Sequence, residues 1–252
     1  MIPAIITHQL TRRFGSICAV DDLDLTVETG MFYGFLGPNG AGKSTTIKML
    51  TGLLEPTRGS VRILGADISH PHRALEVKRR LGVVPENLAL FDNLTAREYL
   101  TFIGRMYGLA ANTLEERREE LLAMMDLRET ERKLTVEFSH GMKKKLSLAG
   151  ALIAGPELLF LDEPFEGVDA VAARVLRDTL RNCVERGATI FLTSHVLEIV
   201  EKLCTHVGII ANGRLVHQAP MDEIRKSGTL EEKFLSAVGG DEVVGQKLSW
   251  LD

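Results

Sequence analysis

Cysteine is scarce in this sequence. Only Cys18, Cys183 and Cys204 occur in 252 residues. They are odd in number and lack metal-ligand spacing, which argues against a disulfide framework or a zinc site and for reduced, mostly buried thiols in a cytosolic protein. Basic charge is also short. Lys and Arg number 30 against 34 Asp and Glu, so the net charge is −4 and the pI about 6.0. That balance argues against a protein holding nucleic acid through a broadly basic surface, and no nucleic-acid partner is expected. No apolar run approaches the roughly 18 residues a spanning helix needs. The start, Met1-Ile2-Pro3-Ala4-Ile5-Ile6, lacks the basic n-region and long h-region of a secretion signal. If the chain works at a membrane, another chain must do the spanning. Internal repeats, low-complexity segments and sustained heptads are missing too. What remains is a chain that is 45% hydrophobic, enough for one large α/β domain or a domain with a small lobe.

The strongest motif is Gly37-Pro38-Asn39-Gly40-Ala41-Gly42-Lys43-Ser44-Thr45. It fits G-x-x-x-x-G-K-[ST], the phosphate-binding P-loop. The apolar run Met31 to Leu36 reads as the strand before it, and Thr45 to Leu54 as the helix after it. Glycines let backbone N–H groups curl around phosphate oxygens where a side chain would block the approach. The helix N-terminus adds partial positive charge. Lys43 suits the β/γ-phosphates of a nucleoside triphosphate, and the Ser44 hydroxyl suits magnesium.

Around this loop, Ala4 to Leu10, Leu23 to Val27 and Gly59 to Leu64 read as strands of a small antiparallel layer, with Asp21-Asp22 marking a turn. Leu81 to Val84 is a short strand. Thr95 to Tyr107, opened by the capping box Thr95-x-x-Glu98, Thr113 to Met125 and Met142 to Ala154 read as helices. Strands at 157–161, 189–193 and 207–210 alternate with helices at 170–185 and 196–203. The pattern predicts an α/β fold with a mainly parallel central sheet, an N-terminal antiparallel β layer and an inserted helical subdomain. The expected division is one domain over 1–239, with its core at 1–87 and 156–220 and the helical subdomain at 88–155. A C-terminal helix at 221–239 and a tail at 240–252 complete it.

Leu158-Leu159-Phe160-Leu161-Asp162-Glu163 is four apolar residues followed by two carboxylates. A buried strand ending this way puts both acids at the sheet's carboxyl edge, where α/β proteins bind ligands. Asp162 suits magnesium, in the Walker-B manner, and Glu163 suits activation of an attacking water. His195 follows the next strand and can reach the γ-phosphate.

These residues resemble the ATP-binding subunits of ABC transporters, over about Ile5 to Gly239. The most specific part is Phe138-Ser139-His140-Gly141-Met142, which looks like the family signature LSGGQ. In that family the signature of one subunit caps the ATP held by the P-loop of the other. The resemblance therefore implies ATP and Mg2+ as ligands and a dimer, read as a homodimer in preference to a heterodimer. It also implies an integral membrane transporter subunit as partner and a peripheral place at the cytoplasmic face of the cell membrane. Phe14 matches the aromatic that stacks on adenine. Glu86 takes the Q-loop position and is expected near the metal. Gly167-Val168-Asp169 resembles the D-loop, which places Asp169 with Lys43, Glu163 and His195 among the catalytic residues. The run 141–146, Val84-Pro85-Glu86 and the ending 230–235 resemble a bacterial export branch handling drugs, polysaccharides, lipids or sodium.

Three departures stand out. Glu86 replaces the usual Gln, which adds negative charge beside the γ-phosphate. His140 and Met142 replace a Gly and a Gln of the signature, which leaves an unequal partner open. Phe165-Glu166 stands where the family often has Thr-Ser. A competing reading is a soluble ABC-type ATPase acting on nucleic acid or ribosomes. It usually needs two ATPase halves or long coiled coils, and this chain has one P-loop. A non-hydrolysing nucleotide-gated module would not need Lys43, Asp162, Glu163 and His195 together. A GTPase is disfavoured because no Asn-Lys-x-Asp motif is present.

Overall fold

A computed structural model describes residues 3–88 and 90–239, so the tail expected at 240–252 lies outside the described residues. The chain begins with β1 (Ile5–Phe14), β2 (Ile17–Val27), β3 (Phe32–Leu36), α1 (Lys43–Leu50), β4 (Arg58–Ile63) and β5 (Ala66–Asp67). It continues with α2 (Pro71–Lys78), β6 (Leu81–Val84), α3 (Ala96–Met106), α4 (Ala111–Met124) and α5 (His140–Leu152). Then come β7 (Leu158–Asp162), α6 (Ala170–Glu185), β8 (Thr189–Ser194), α7 (Leu197–Leu203) and β9 (His206–Ala211). β10 (Arg214–Pro220), α8 (Met221–Ser227) and α9 (Leu230–Val238) follow.

Two sheets form. One is antiparallel, in the order β2-β1-β4-β5; the other runs β10-β9-β3-β8-β7-β6. In the second sheet β9, β3, β8, β7 and β6 are parallel and β10 is antiparallel at the edge. The mainly parallel α/β fold with a separate antiparallel layer is as the alternation of elements implied.

Parallel strands covered on both faces read as continuous apolar runs. All five residues of β3 and of β7 are buried. Their side chains still alternate between two cores. Tyr33, Phe35, Leu158, Phe160 and Phe191 face the antiparallel layer and α1. There Phe191 lies at the centre of an aromatic group, its ring 5.6 Å from Tyr33, 5.3 Å from Phe35 and 5.7 Å from Phe160. Phe32, Leu36, Leu159, Leu161, Ile190 and Leu192 face the opposite side, with residues of α3 to α9. Gly34 belongs to that second side. A Cβ there would sit 2.6 Å from Val200 Cγ1, so α7 approaches β3 too closely for any side chain.

Two expectations change. Asp21-Asp22 is not a turn but lies inside β2, and the hairpin reverses at Gly15-Ser16, where Gly15 has φ +57°. The two acids mark a bulge: Asp22 has φ +49°, and the β1–β2 register shifts between Leu10 and Arg12. Their charge is taken up by Arg214 on Asp21 and Arg58 on Asp22. The helix expected at 221–239 is two helices. Gly228, at φ +141°, breaks it, and Thr229 starts α9 with a capping box to Glu232. α2 and β10, with no reading from sequence, add to the two layers. The three cysteines are free thiols, Cys204 buried and the others half-buried.

Candidate active site

β3, β8 and β7 are neighbours in register, with Leu36 beside Ser194 and Thr193 beside Asp162. The segments leaving their carboxyl ends therefore meet. They are the P-loop, His195 and Glu163. The loop after β6 brings Glu86 to the same edge. Together these form a cleft of about 290 Å³ lined by Asn39, Gly40, Gly42, Lys43, Ser44, Thr45, Glu86, Glu163, Glu166, His195 and Ala19.

The P-loop conformation depends on glycine where space or backbone demands it. Gly42 has φ +109°, and a Cβ there would lie 2.4 Å from the Ala19 carbonyl oxygen. At Gly37 a Cβ would lie 2.5 Å from the Ile210 carbonyl oxygen. Ala41 fixes the loop from behind, its N–H donating to the Pro38 carbonyl and its carbonyl accepting from Gly213 N–H. Lys43 is buried at the start of α1. Its ammonium donates to the Gly37 carbonyl at 2.8 Å and the Pro38 carbonyl at 3.3 Å.

Asp162 ends β7 and accepts a 2.5 Å hydrogen bond from the Thr193 hydroxyl. Glu163, next in the chain, adopts φ +47°. For a residue with a Cβ this costs about 1–2 kcal/mol. The conformation is held by Glu163 N–H donating to the Thr193 carbonyl and hydroxyl, and by Lys144 Nζ donating to the Glu163 carbonyl at 3.0 Å. The carboxylate turns into the cleft. Oε2 stands 3.1 Å from His195 Nδ1 and accepts the His195 N–H. Oε1 is buried without a hydrogen bond, with Lys43 Nζ 3.6 Å away.

The other residues singled out from sequence lie outside this cleft. Phe14 is at the β1–β2 turn, nearly half exposed, with the Arg12 guanidinium 4.6 Å over its ring. Ser139 caps α5, its hydroxyl accepting from Met142 N–H at 3.3 Å. Gly141 is packed so closely that a Cβ would lie 3.2 Å from both Asp169 Oδ2 and Ala172 Cβ. Asp169 caps α6 and accepts from Val171 and Ala172 N–H groups. The Ala172 N–H first, then that of Val171, holds its carboxyl below the usual range. His140 turns back on its own chain, Nε2 being 3.1 Å from the Glu166 carbonyl and the ring lying against Gly167.

A family model described as ABC transporter matches residues 20–166. The chain belongs to the ABC transporter family. It is an ATP-binding, ATP-hydrolysing cassette. It is 41% identical over 228 residues to the bacitracin transport ATP-binding protein BcrA of Bacillus licheniformis, covering 90% of this chain and 72% of that one. It is likewise 41% identical over 213 residues to the Nod factor export ATP-binding protein I of Burkholderia lata, covering 83% and 68%. A solved ATP-binding subunit of an ABC transporter superposes with a TM-score of 0.86 at 30% identity, over 93% of this chain and 99% of that one. No described helix is long and apolar enough to cross a membrane.

Four residues that shape this ABC cassette's site were given no role in it from sequence. Ala19 lines the cleft, and Thr193, two residues before His195, acts through its carbonyl and hydroxyl. Glu166 lines the cleft, while Phe165 beside it is buried in the helical-side core. Lys144 is 2% exposed on α5. Burial lowers its ammonium pKa, opposed first by the Glu166 carboxylate and then by Asp162, Glu86 and Glu163. In sequence it sits in Lys143-Lys144-Lys145, which reads as a solvated turn.

Proposed function

We propose that this cassette powers export through a separate membrane-spanning subunit, working as a dimer at the cytoplasmic face of the membrane. The carrying observation is Glu163: a buried carboxylate aimed into the P-loop cleft, with one oxygen lacking a hydrogen bond. That oxygen is paired with Lys43 Nζ by charge alone, at 3.6 Å, and still has room for a hydrogen-bond donor. A water attacking the γ-phosphate is such a donor.

In this reading Gly37 to Thr45 present backbone N–H groups to the phosphates, with Lys43 as the point charge. Glu163 takes the proton from the attacking water, and His195 orients the carboxylate and faces the γ-phosphate. Phe14 offers its ring to adenine. Ser139, His140, Gly141 and Met142 serve the partner's nucleotide, across an interface that includes Asp169. The partner is an identical copy in preference to an unequal one. Residues 88–155 act as the helical subdomain of a single domain over 1–239.

Ser44 and Asp162 would hold Mg2+, with Glu86 nearby. Among the described residues no three His, Cys, Asp or Glu side chains form a ready cage. A hydroxyl and sparse carboxylates suit an ion that keeps its waters and phosphate oxygens. When bound, Mg2+ neutralises charge on the phosphates. The Asp162 oxygen already bonded to Thr193 fixes the carboxylate's orientation toward that task.

The Glu86 carboxylate adds negative charge to the cleft and ties ATP use to magnesium more tightly than an amide would. Removing a carboxylate beside a dication weakens its hold, so Glu86→Gln should raise the magnesium concentration for half-maximal ATPase by about three-fold, or roughly 0.65 kcal/mol. An unchanged magnesium titration overturns that role. Transport coupling is tested by purifying the protein from its own membranes. An integral membrane protein should come with it; a ribosome or DNA in its place would remove the transport reading. The relatives that carry bacitracin and Nod factor in their names support export.

A further inference from the structure

Lys144 is among the largest fully buried side chains of the described residues. Burying an ammonium is expensive, and a leucine or methionine would fill the same space without that cost. Among the described residues its one hydrogen bond goes to the Glu163 carbonyl, at 3.0 Å. That carbonyl also accepts the Glu166 N–H at 3.2 Å, so Lys144 adds a charged donor to a backbone one. The β7–β8 ladder ends at the Asp162–Thr193 pair, and Glu163 then turns to φ +47°. Beyond the last ladder pair the carbonyl's partners are the Glu166 N–H, within the same turn, and the Lys144 ammonium, which alone ties it to another element.

The same stretch of α5 carries a second contact. Gly141, three residues before Lys144, lies on a neighbouring part of the helix face. It abuts Asp169 and Ala172 at the start of α6. So one turn of helix joins the start of α5 to the start of α6 and to the backbone of Glu163. We infer that Lys144 is a positioning residue. It fixes the backbone from which Glu163 projects and ties it to the helix that begins at Ser139-His140-Gly141-Met142. This rests on Glu163 being the base. Any shift of α5 when those four residues engage a neighbouring subunit's nucleotide would move the Glu163 backbone through Lys144. The carboxylates of Glu166, then Asp162, Glu86 and Glu163, favour the charged form of Lys144 against burial.

The test is a double-mutant cycle on the full chain, with Lys144→Met, Glu163→Gln and both together. Turnover, KM for ATP, equilibrium ATP binding and Tm are measured for each. Lys144→Met should lower kcat by about 10- to 100-fold, because misplacing a reacting group by about 1 Å costs about 100-fold. KM and ATP affinity should stay within about two-fold, since the P-loop is untouched. In the Glu163→Gln background Lys144→Met should cost nothing more, because its effect runs through Glu163. Wild-type kcat in Lys144→Met, or an equal loss with and without Glu163, overturns the inference. Wild-type turnover in Glu163→Gln alone removes the base assignment itself, which is a separate result. If the methionine variant does not fold, Lys144→Gln carries the same cycle. It keeps a donor on a shorter arm, so it should show a smaller loss with the same dependence on Glu163.

Discussion

Glu163→Gln is expected to cut steady-state ATP turnover by about 10²- to 10⁴-fold, the usual contribution of a positioned general base. Nucleotide affinity should survive. The amide matches the carboxylate in size and can still accept the His195 N–H that Oε2 accepts now. It cannot take a proton from water. An ATPase that binds but does not hydrolyse accumulates in its closed form, so the variant should elute as a dimer with ATP where the wild type does not. Turnover at the wild-type rate would show that another group activates the water. The substitution takes the carboxylate charge away from Lys43 Nζ, 3.6 Å from Oε1, but leaves the backbone in place. Glu163 Oε1 has no hydrogen bond to lose, and the strained backbone is held through main-chain atoms that the change leaves alone.

Lys43→Ala acts one step earlier. Its ammonium bonds only loop carbonyls, those of Gly37 and Pro38, and stands 3.6 Å from Glu163. Removing it takes away the one full positive charge among the cleft-lining residues and leaves the Glu163 carboxylate facing the phosphates. Truncating one partner of a buried charge pair costs about 2–5 kcal/mol in binding, or roughly 30-fold to several-thousand-fold in affinity. Equilibrium binding of ATP should therefore fall below detection at ordinary concentrations, with ATPase lost in consequence. The two variants separate binding from chemistry: Lys43→Ala should remain monomeric with ATP, and Glu163→Gln should not. ATP affinity unchanged in Lys43→Ala would discard its phosphate role.

Much of this site was legible because its chemistry is written locally. The P-loop needs glycine and lysine at fixed spacing, and β7 needs an apolar run that stops in two acids. Strand ends then bring them together by sheet order alone. What escaped is what depends on partners distant in sequence. Asp21-Asp22 has the composition of a turn, and only Arg58 and Arg214 make it a bulge within β2. Lys144 has the neighbours of a surface lysine, and only Glu163, just past the end of β7 and nineteen residues later, makes it a buried donor. Gly228 was available as a breaker, but the apolar pattern on either side of it reads as one helix until Thr229 is seen capping the second.

The alternation along β3, β7 and β8 has a genetic consequence. Neighbouring positions on one strand report to different halves of the molecule. Leu159 and Leu161 answer to the helices, Leu158 and Phe160 to the antiparallel layer. Parity along the strand therefore partitions mutational load, and a compensating change belongs on the face that the first lesion disturbed. Selection can reshape the helical side, step by step, while the side that cradles the P-loop helix keeps its inheritance intact.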